Sequence, residues 1–413
     1  MASGGPGAAA NADESPVSSW VGHEGAAAFD LRSDTMTTPT AAMLSAIQTA
    51  TLLDDVFEED PTTAALEAHV ADLAGKEAGL LVLSGTMGNQ VALRTLLTQP
   101  PHGVLCDYRS HIVKYEAGGV SSLTGATMQP VRPANGLHLT LEDVQAHAIV
   151  SDNVHYCPTR VISLENSLDG LVLPLSEIRR IGAFAREHGI KLHCDGARLW
   201  EVVVAASTSS SYSASASENE AQQPPPSLRD FAAPFDTLSL CFSKGLGAPI
   251  GSIVVGPAAT IRHARRIRKM LGGGLRQSGV VAAAARVAVD VTFGAGPRGE
   301  GGLLPASHAA ARRVEALWTG LGGRMAVPTQ TNMCWLDLDS LGCTAERFEQ
   351  LGREAGLRLM GNRIITHYQV GEEALRRLEG VFRTVAAEEK KKRDDEDEEA
   401  GHRGGNGSSP YSA

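Results

Sequence analysis

Residues 235–256 read FDTLSLCFSKGLGAPIGSIVVG, and the fold turns on how they are read. The apolar run Leu238–Phe242 ends in Ser243 and Lys244, a loop rich in Gly and Pro follows, and a second apolar run spans Ile250–Val255. Each run has the length and flanks of a short buried strand. The link between them is too short for a helical crossover, which predicts antiparallel neighbours. Lys244 then stands at a strand end beside flexible backbone, where a lysine can shed water and attack a carbonyl.

Alone, a lysine after a strand reads as a surface residue at a turn. Its company changes that. Upstream, IKLHCDGARLW (190–200) is another strand, ending in the carboxylate of Asp195 with Gly196 and Arg198 at the turn. Pyridoxal phosphate requires a lysine for its covalent link, an acid against its pyridinium nitrogen and donors for its phosphate. Lys244 and Asp195 are a candidate lysine and acid.

Working outward, the strand 79–83 feeds Ser84-Gly85-Thr86-Met87-Gly88-Asn89 and then an apolar helix to Leu97. A Gly-rich turn opening a helix N-terminus is an anion cup, because backbone N–H groups and the helix dipole face an incoming phosphate. The cup matches neither GxGxxG nor GxxxxGK[ST], which favours a small phosphate monoester. Further strands at 103–106, 127–131 and 160–164 and a helix at 175–188 continue the alternation. The pattern predicts an α/β fold with a mostly parallel sheet flanked by helices. Ligands in such sheets bind beyond the carboxyl ends of the strands, where Ser84, Glu165, Asp195 and Lys244 all fall.

At 413 residues the chain has room for two domains. A disordered arm is expected at 1–27, a large domain at 28–293, a smaller C-terminal α/β domain at 294–387 and a disordered charged tail at 388–413. Residues 207–227, STSSSYSASASENEAQQPPPS, read as a low-complexity insertion. After Val255 comes a basic helix, 261–271, and then the run 272–279, GGGLRQSG, which sets Arg276 among glycines near a phosphate.

The chain carries 37 Lys and Arg against 47 Asp and Glu, a net charge of −10, which disfavours a nucleic-acid partner. Its six cysteines are scattered with no CxxC, as expected of reduced thiols in a reducing compartment. Residues 1–16 lack a basic region and an apolar core, and no stretch is apolar enough to span a membrane. A cytoplasmic enzyme is the expectation. No HExxH or Cys/His cluster suggests a metal site.

From about Asp30 to Ala387 the sequence resembles the fold-type I pyridoxal-phosphate enzymes, and within them the L-threonine aldolases of the aromatic amino acid β-eliminating lyase/threonine aldolase family. The resemblance is carried by DLRSDT, DDVFEEDPT, GKEA, SGTMGN, HIVKYEAGG, ISLEN, HCDGAR, FSKGLGAPIGS, RKMLGGGLRQSG and RIITH, in that order. It implies pyridoxal 5'-phosphate bound to Lys244, with Asp195 at the pyridinium nitrogen. Gly85 and Thr86 would bind the phosphate with Ser243 and Arg276. His111 would lie against the ring with His155 as a second active-site histidine, either being a candidate base. Ser33, Arg198 and Arg363 would hold the carboxylate of an amino-acid substrate, with Arg198 also among the cofactor-binding residues.

The implied assembly is a homotetramer, a dimer of dimers with sites at the subunit interface, so that some of these residues serve a neighbour's site. The implied reaction is retro-aldol cleavage of L-threonine or L-allo-threonine to glycine and acetaldehyde. A β-eliminating lyase on the same fold and a non-catalytic cofactor-binding protein are the alternatives. One departure stands out: Ser167-Leu168-Asp169-Gly170 replaces the Thr-His-Asn-Gly common in bacterial members, which bears on substrate preference at the β-carbon.

Overall fold

A computed structural model describes residues 25–208 and 224–404 of the chain. Seven strands form the main sheet: β1 (Ala78–Val82), β2 (Gly103–Asp107), β3 (Thr127–Val131), β4 (Thr159–Glu165), β5 (Lys191–Gly196), β6 (Thr237–Cys241) and β7 (Ser252–Gly256). Their spatial order is β1-β7-β6-β5-β4-β2-β3. The pairs from β6 through β3 run parallel, whereas β7 is antiparallel to both β6 and β1. The decisive stretch thus folds as its length dictated: the ten residues between Cys241 and Ser252 hold no helix, and the two strands lie side by side.

Strands β5, β6 and β7 are buried throughout, apart from Lys191 at the start of β5. This is the composition of a central sheet covered on both faces. The largest apolar cluster joins β5 and β6 to the helices Leu175–Glu187, Leu199–Thr208 and Gly279–Val287. A second sheet, β8 (Arg324–Val327), β9 (Met333–Asp337) and β10 (Arg363–Ile365), is antiparallel in the order β10-β9-β8. It shares an apolar cluster with the helices Leu304–Gly320 and Ala345–Glu354 and with Trp318 and Phe382.

Three expectations need correction or limits. Phe29–Leu31, grouped by sequence with the large domain, packs on the C-terminal layer: Leu31 N–H donates to Arg358 O at 3.0 Å, and Leu31 O accepts from Ile365 N–H at 2.9 Å. The charged tail does not turn into coil at residue 388, because the helix Glu372–Gly404 runs through it. Its Glu, Lys and Arg residues are strong helix formers, and pairs such as Glu389 with Arg393 at 2.8 Å fall one turn apart. Most of the expected insertion (209–223), the arm (1–24) and the end of the tail (405–413) lie outside the described residues.

Candidate active site

The carboxyl ends of β4, β5 and β6 bring together two acids and a lysine. Glu165 and Asp195 end adjacent strands and sit opposite each other in register. Lys244 follows three residues after β6, in a turn closed by the Gly247 N–H on Lys244 O at 2.9 Å and by Thr37 Oγ1 on the same oxygen at 2.9 Å. Its ammonium has no hydrogen-bond partner among the described residues, yet it lies close enough for its charge to act on both Asp34 and Glu165. Burial and the neighbouring Asp195 push the Glu165 carboxyl well above the usual carboxylate range.

Beside these residues stands His111. Its Nδ1 is 2.8 Å from Glu116 Oε1, and its backbone N–H donates to Glu165 Oε2 at 2.8 Å. Asn89 Nδ2 spans two acids, donating to Glu116 Oε1 at 2.8 Å and to Asp195 Oδ2 at 2.7 Å. Gln90 also donates to Glu116. His193 Nε2 meets Asn89 Oδ1 at 3.1 Å, and burial pushes the His193 imidazole down to about 4, so it is neutral at physiological pH. One atom each of His111, Glu116 and Asp195 lies within 4.8 Å of the others.

On the opposite flank Arg198 is gripped by Asp34, Nε to Oδ2 at 2.8 Å and Nη2 to Oδ1 at 2.6 Å. Burial would raise the Asp34 carboxyl, but the guanidinium outweighs it and holds the group at about 2. Ser33, one residue earlier, caps the short helix Asp34–Met36 through Thr35 N–H. Arg363 is half-buried, and its Nη2 reaches Arg32 O at 3.1 Å while its Nε is buried with no partner. Burial and the charge of Arg198 both push the Arg363 guanidinium down. Among the described residues it has no ion-pair partner, although Asp34 and Asp169 act on it through their charge.

The strand 78–82 leads into a helix N-terminus at the residues read as an anion cup. Ser84 caps the helix Gly85–Leu96 by accepting the Met87 N–H, which places Gly85 and Thr86 in the first turn. A Cβ on Gly85 would meet Ser252 Oγ at 3.9 Å and nothing nearer. That hydroxyl is buried without a partner. An open cradle, an orphaned hydroxyl, a free ammonium and an acid pair fit the phosphate, aldehyde and ring nitrogen of pyridoxal phosphate. Lys244 would carry the covalent link, Asp195 the ring nitrogen, and Gly85, Thr86 and Ser252 the phosphate. Ser243 Oγ, 3.5 Å from Cys241 Sγ, adjoins this region.

Two expected residues are not joined to this cluster within the chain. Arg276 is largely exposed, with Nη1 on Asp54 Oδ2 at 2.8 Å, because the 272–279 run folds back on the 54–55 loop. His155 is exposed on the loop before β4, where its backbone N–H donates to Asn153 Oδ1 at 3.0 Å. Conversely, sequence reading passed over Asp34, Asn89, Glu116, His193 and Ser252. All five stand inside quoted motifs, DLRSDT, SGTMGN, HIVKYEAGG, HCDGAR and FSKGLGAPIGS, but polar residues there show their partners only once the strands are aligned. Leu168, the departure from the bacterial pattern, is buried and lines a small cavity with Leu139, Leu164, Leu171, Leu173 and Glu165.

Among known proteins, the chain is 52% identical to the aldolase vrtJ of Penicillium aethiopicum over 89% of each chain. It is 43% identical to the alanine racemase TOXG of Cochliobolus carbonum over 88% of this chain and 89% of that one. A low-specificity L-threonine aldolase of Eremothecium gossypii is 41% identical over 86% of each. Among solved structures, a threonine aldolase of Leishmania major superposes with a TM-score of 0.70 at 18% identity, covering 86% of this chain and 99% of that one, which shows the shared fold. Residues 30–340 match the model of the β-eliminating lyase family. By that match, and by relatives aligned along nearly its whole length, the chain belongs to the β-eliminating lyase family of pyridoxal-phosphate enzymes.

Proposed function

We propose that the protein is an aldolase that cleaves L-threonine, L-allo-threonine and related β-hydroxy-α-amino acids to glycine and an aldehyde. The observation that carries this reading is the His111–Glu116 contact. A buried carboxylate on Nδ1 fixes the imidazole's orientation and leaves Nε2 to take a proton, beside the acid assigned to the cofactor ring. Bound pyridoxal phosphate supplies an electron sink for whichever Cα bond stands perpendicular to its ring.

The residues supply the rest. Arg363, without an ion-pair partner among the described residues, holds the substrate carboxylate and so selects which Cα bond is perpendicular. Arg198 is already neutralised by Asp34 and supports that position from behind. His111 removes the β-hydroxyl proton, and Glu116 stabilises the charge this leaves on the imidazole. Asn89 keeps Asp195 and Glu116 apart by donating to both. A homotetramer belongs to the same reading: His155 and Arg276, both exposed, would face a neighbouring subunit's site, and the large exposed side chains Phe57 and Tyr115, each 70% exposed, would be covered.

Names among the relatives include both aldolases and a racemase, so the test separates products. Purified protein is incubated with L-threonine, L-allo-threonine, L-serine and L-alanine, and acetaldehyde, glycine, pyruvate and D-alanine are measured. Equimolar glycine and acetaldehyde from either threonine is the expected result. Pyruvate and ammonia as main products would replace the reading with β-elimination, and D-alanine formation without cleavage would replace it with racemisation.

A further inference from the structure

We propose that Glu201 and His308 form a buried positioning pair for the lysine-bearing turn, so that the C-terminal layer helps set where Lys244 stands. Glu201 lies in the helix Leu199–Thr208, which begins one residue after Arg198, and His308 lies in the helix Leu304–Gly320. Their side chains are 2% and 1% exposed, with His308 Nε2 2.7 Å from Glu201 Oε2. Each partner keeps one buried atom unpartnered, Glu201 Oε1 and His308 Nδ1. A buried acid is normally bonded at both oxygens, and a pair of apolar side chains would fill such a helix contact at lower cost. The spare oxygen therefore calls for another explanation.

That oxygen lies against Gly245, the residue after Lys244, and a Cβ there would overlap it. Two positions on, the buried hydroxyl of Tyr368 fills the space that a Cβ on Gly247 would need. Gly247 has φ +82°, so the turn depends on glycine there for its backbone as well as for space. Both side chains that press on the turn from this direction are tied to the C-terminal layer: Tyr368 follows β10, and Glu201 is held in its rotamer by His308. Thr37 fixes the Lys244 carbonyl from another direction. The turn is thus clamped by groups outside the strand ends of β4, β5 and β6, and Glu201 acts by contact with Gly245.

The inference rests on Lys244 as the cofactor lysine, and the test keeps the two claims apart. Full-length variants are freed of cofactor and titrated with pyridoxal phosphate, following the visible absorbance of the lysine-linked form, its pH midpoint and the thermal melt. Gly245→Ala, which pushes a methyl into the Glu201 carboxylate, is expected to weaken cofactor affinity at least about tenfold, the scale of one overpacked methyl. Gly245→Ala combined with Glu201→Ala is expected to recover most of that loss. Glu201→Gln, which keeps the shape and so the contact with Gly245, is expected to hold cofactor affinity near wild type, whereas Glu201→Ala, which removes the contact, is expected to lower it and shift the absorbance of the lysine-linked form; this pair serves if Gly245→Ala fails to fold. A double variant as weak as Gly245→Ala, or a Glu201→Ala protein with wild-type affinity and absorbance, would overturn the proposal. Lys244→Ala is run alongside: if it retains the absorbance, the assignment of the lysine falls instead.

Discussion

Asp34 takes both ends of the Arg198 guanidinium, at 2.6 and 2.8 Å, although the two residues are 164 positions apart. The fork that the family resemblance implies for a substrate carboxylate is therefore occupied by a carboxylate of the chain itself. This clamps the DLRSDT stretch onto the turn after β5 and leaves Arg363 as the nearby guanidinium without an ion-pair partner among the described residues.

The clamp has a pH signature. Asp34 is held at about 2 against an ordinary 3.8, so the folded state binds fewer protons than the unfolded one around pH 3. Its stabilisation is present above about pH 4 and is lost as pH falls toward 2, a contribution of ~2 kcal/mol. Asp34→Asn should destabilise the protein by about 3–5 kcal/mol at pH 7, because Arg198 is left buried and unpaired. It should also flatten the acid limb of a stability profile taken by urea unfolding from pH 5 to pH 2. An acid limb with unchanged slope would show that Asp34 is not the group responsible.

Glu116 offers a cleaner test of catalysis than His111, since it holds the imidazole while its own side chain is fully buried. Glu116→Gln should lower kcat by about 10- to 100-fold, the usual effect of losing a carboxylate that orients a working histidine. KM and cofactor absorbance should stay close to wild type. Steady-state kinetics with both threonine diastereomers across pH 6–9 reads this out. A change confined to KM would take His111 out of the base role.

Arg363 should divide binding from chemistry in the other direction. Arg363→Lys keeps a charge but loses the fork, and a charge-assisted hydrogen bond of ~1.5–3 kcal/mol goes with it. KM for L-allo-threonine should rise by roughly 10- to 100-fold, with cofactor affinity unchanged. An equal loss in Arg198→Lys, with no effect at Arg363, would reverse the assignment made from the Asp34 contact.

The frame was legible in sequence because it depends on local rules. The strand pair around Lys244 follows from two apolar runs and a link too short for a helix, and the βα alternation follows from period and turn residues. The placement of Asp195, Lys244, Gly85 and Thr86 at strand ends was readable for the same reason, as each sits at a fixed offset from a strand. Contacts between distant segments were not. Asn89, in the helix after β1, and Glu116, in a turn after β2, look like ordinary polar residues until strands β1, β2 and β5 are aligned, and Asp34 neutralises Arg198 only through a fold-back of the N-terminal segment. The fold-back of the 272–279 glycine run, which pairs Arg276 with Asp54 within the chain, was likewise not legible.

Two glycines one turn apart on the same helix should respond to alanine in opposite ways. Gly88 packs directly on β6, and a Cβ there would overlap the Ser239 hydroxyl and approach its Cβ at 3.2 Å, so Gly88→Ala must push the helix off the sheet. Overpacking of that kind costs about 1–3 kcal/mol, and the thermal melt should fall with cofactor affinity following it down. Gly85 has open space instead, with Ser252 Oγ at 3.9 Å as its nearest neighbour, so Gly85→Ala should fold and melt like wild type. If the cup holds phosphate, the added methyl occupies the approach to the backbone N–H groups, and affinity for pyridoxal phosphate should drop while affinity for pyridoxal, which lacks the phosphate, stays the same. Equal losses for both ligands would place the phosphate elsewhere and leave the helix N-terminus a structural cap.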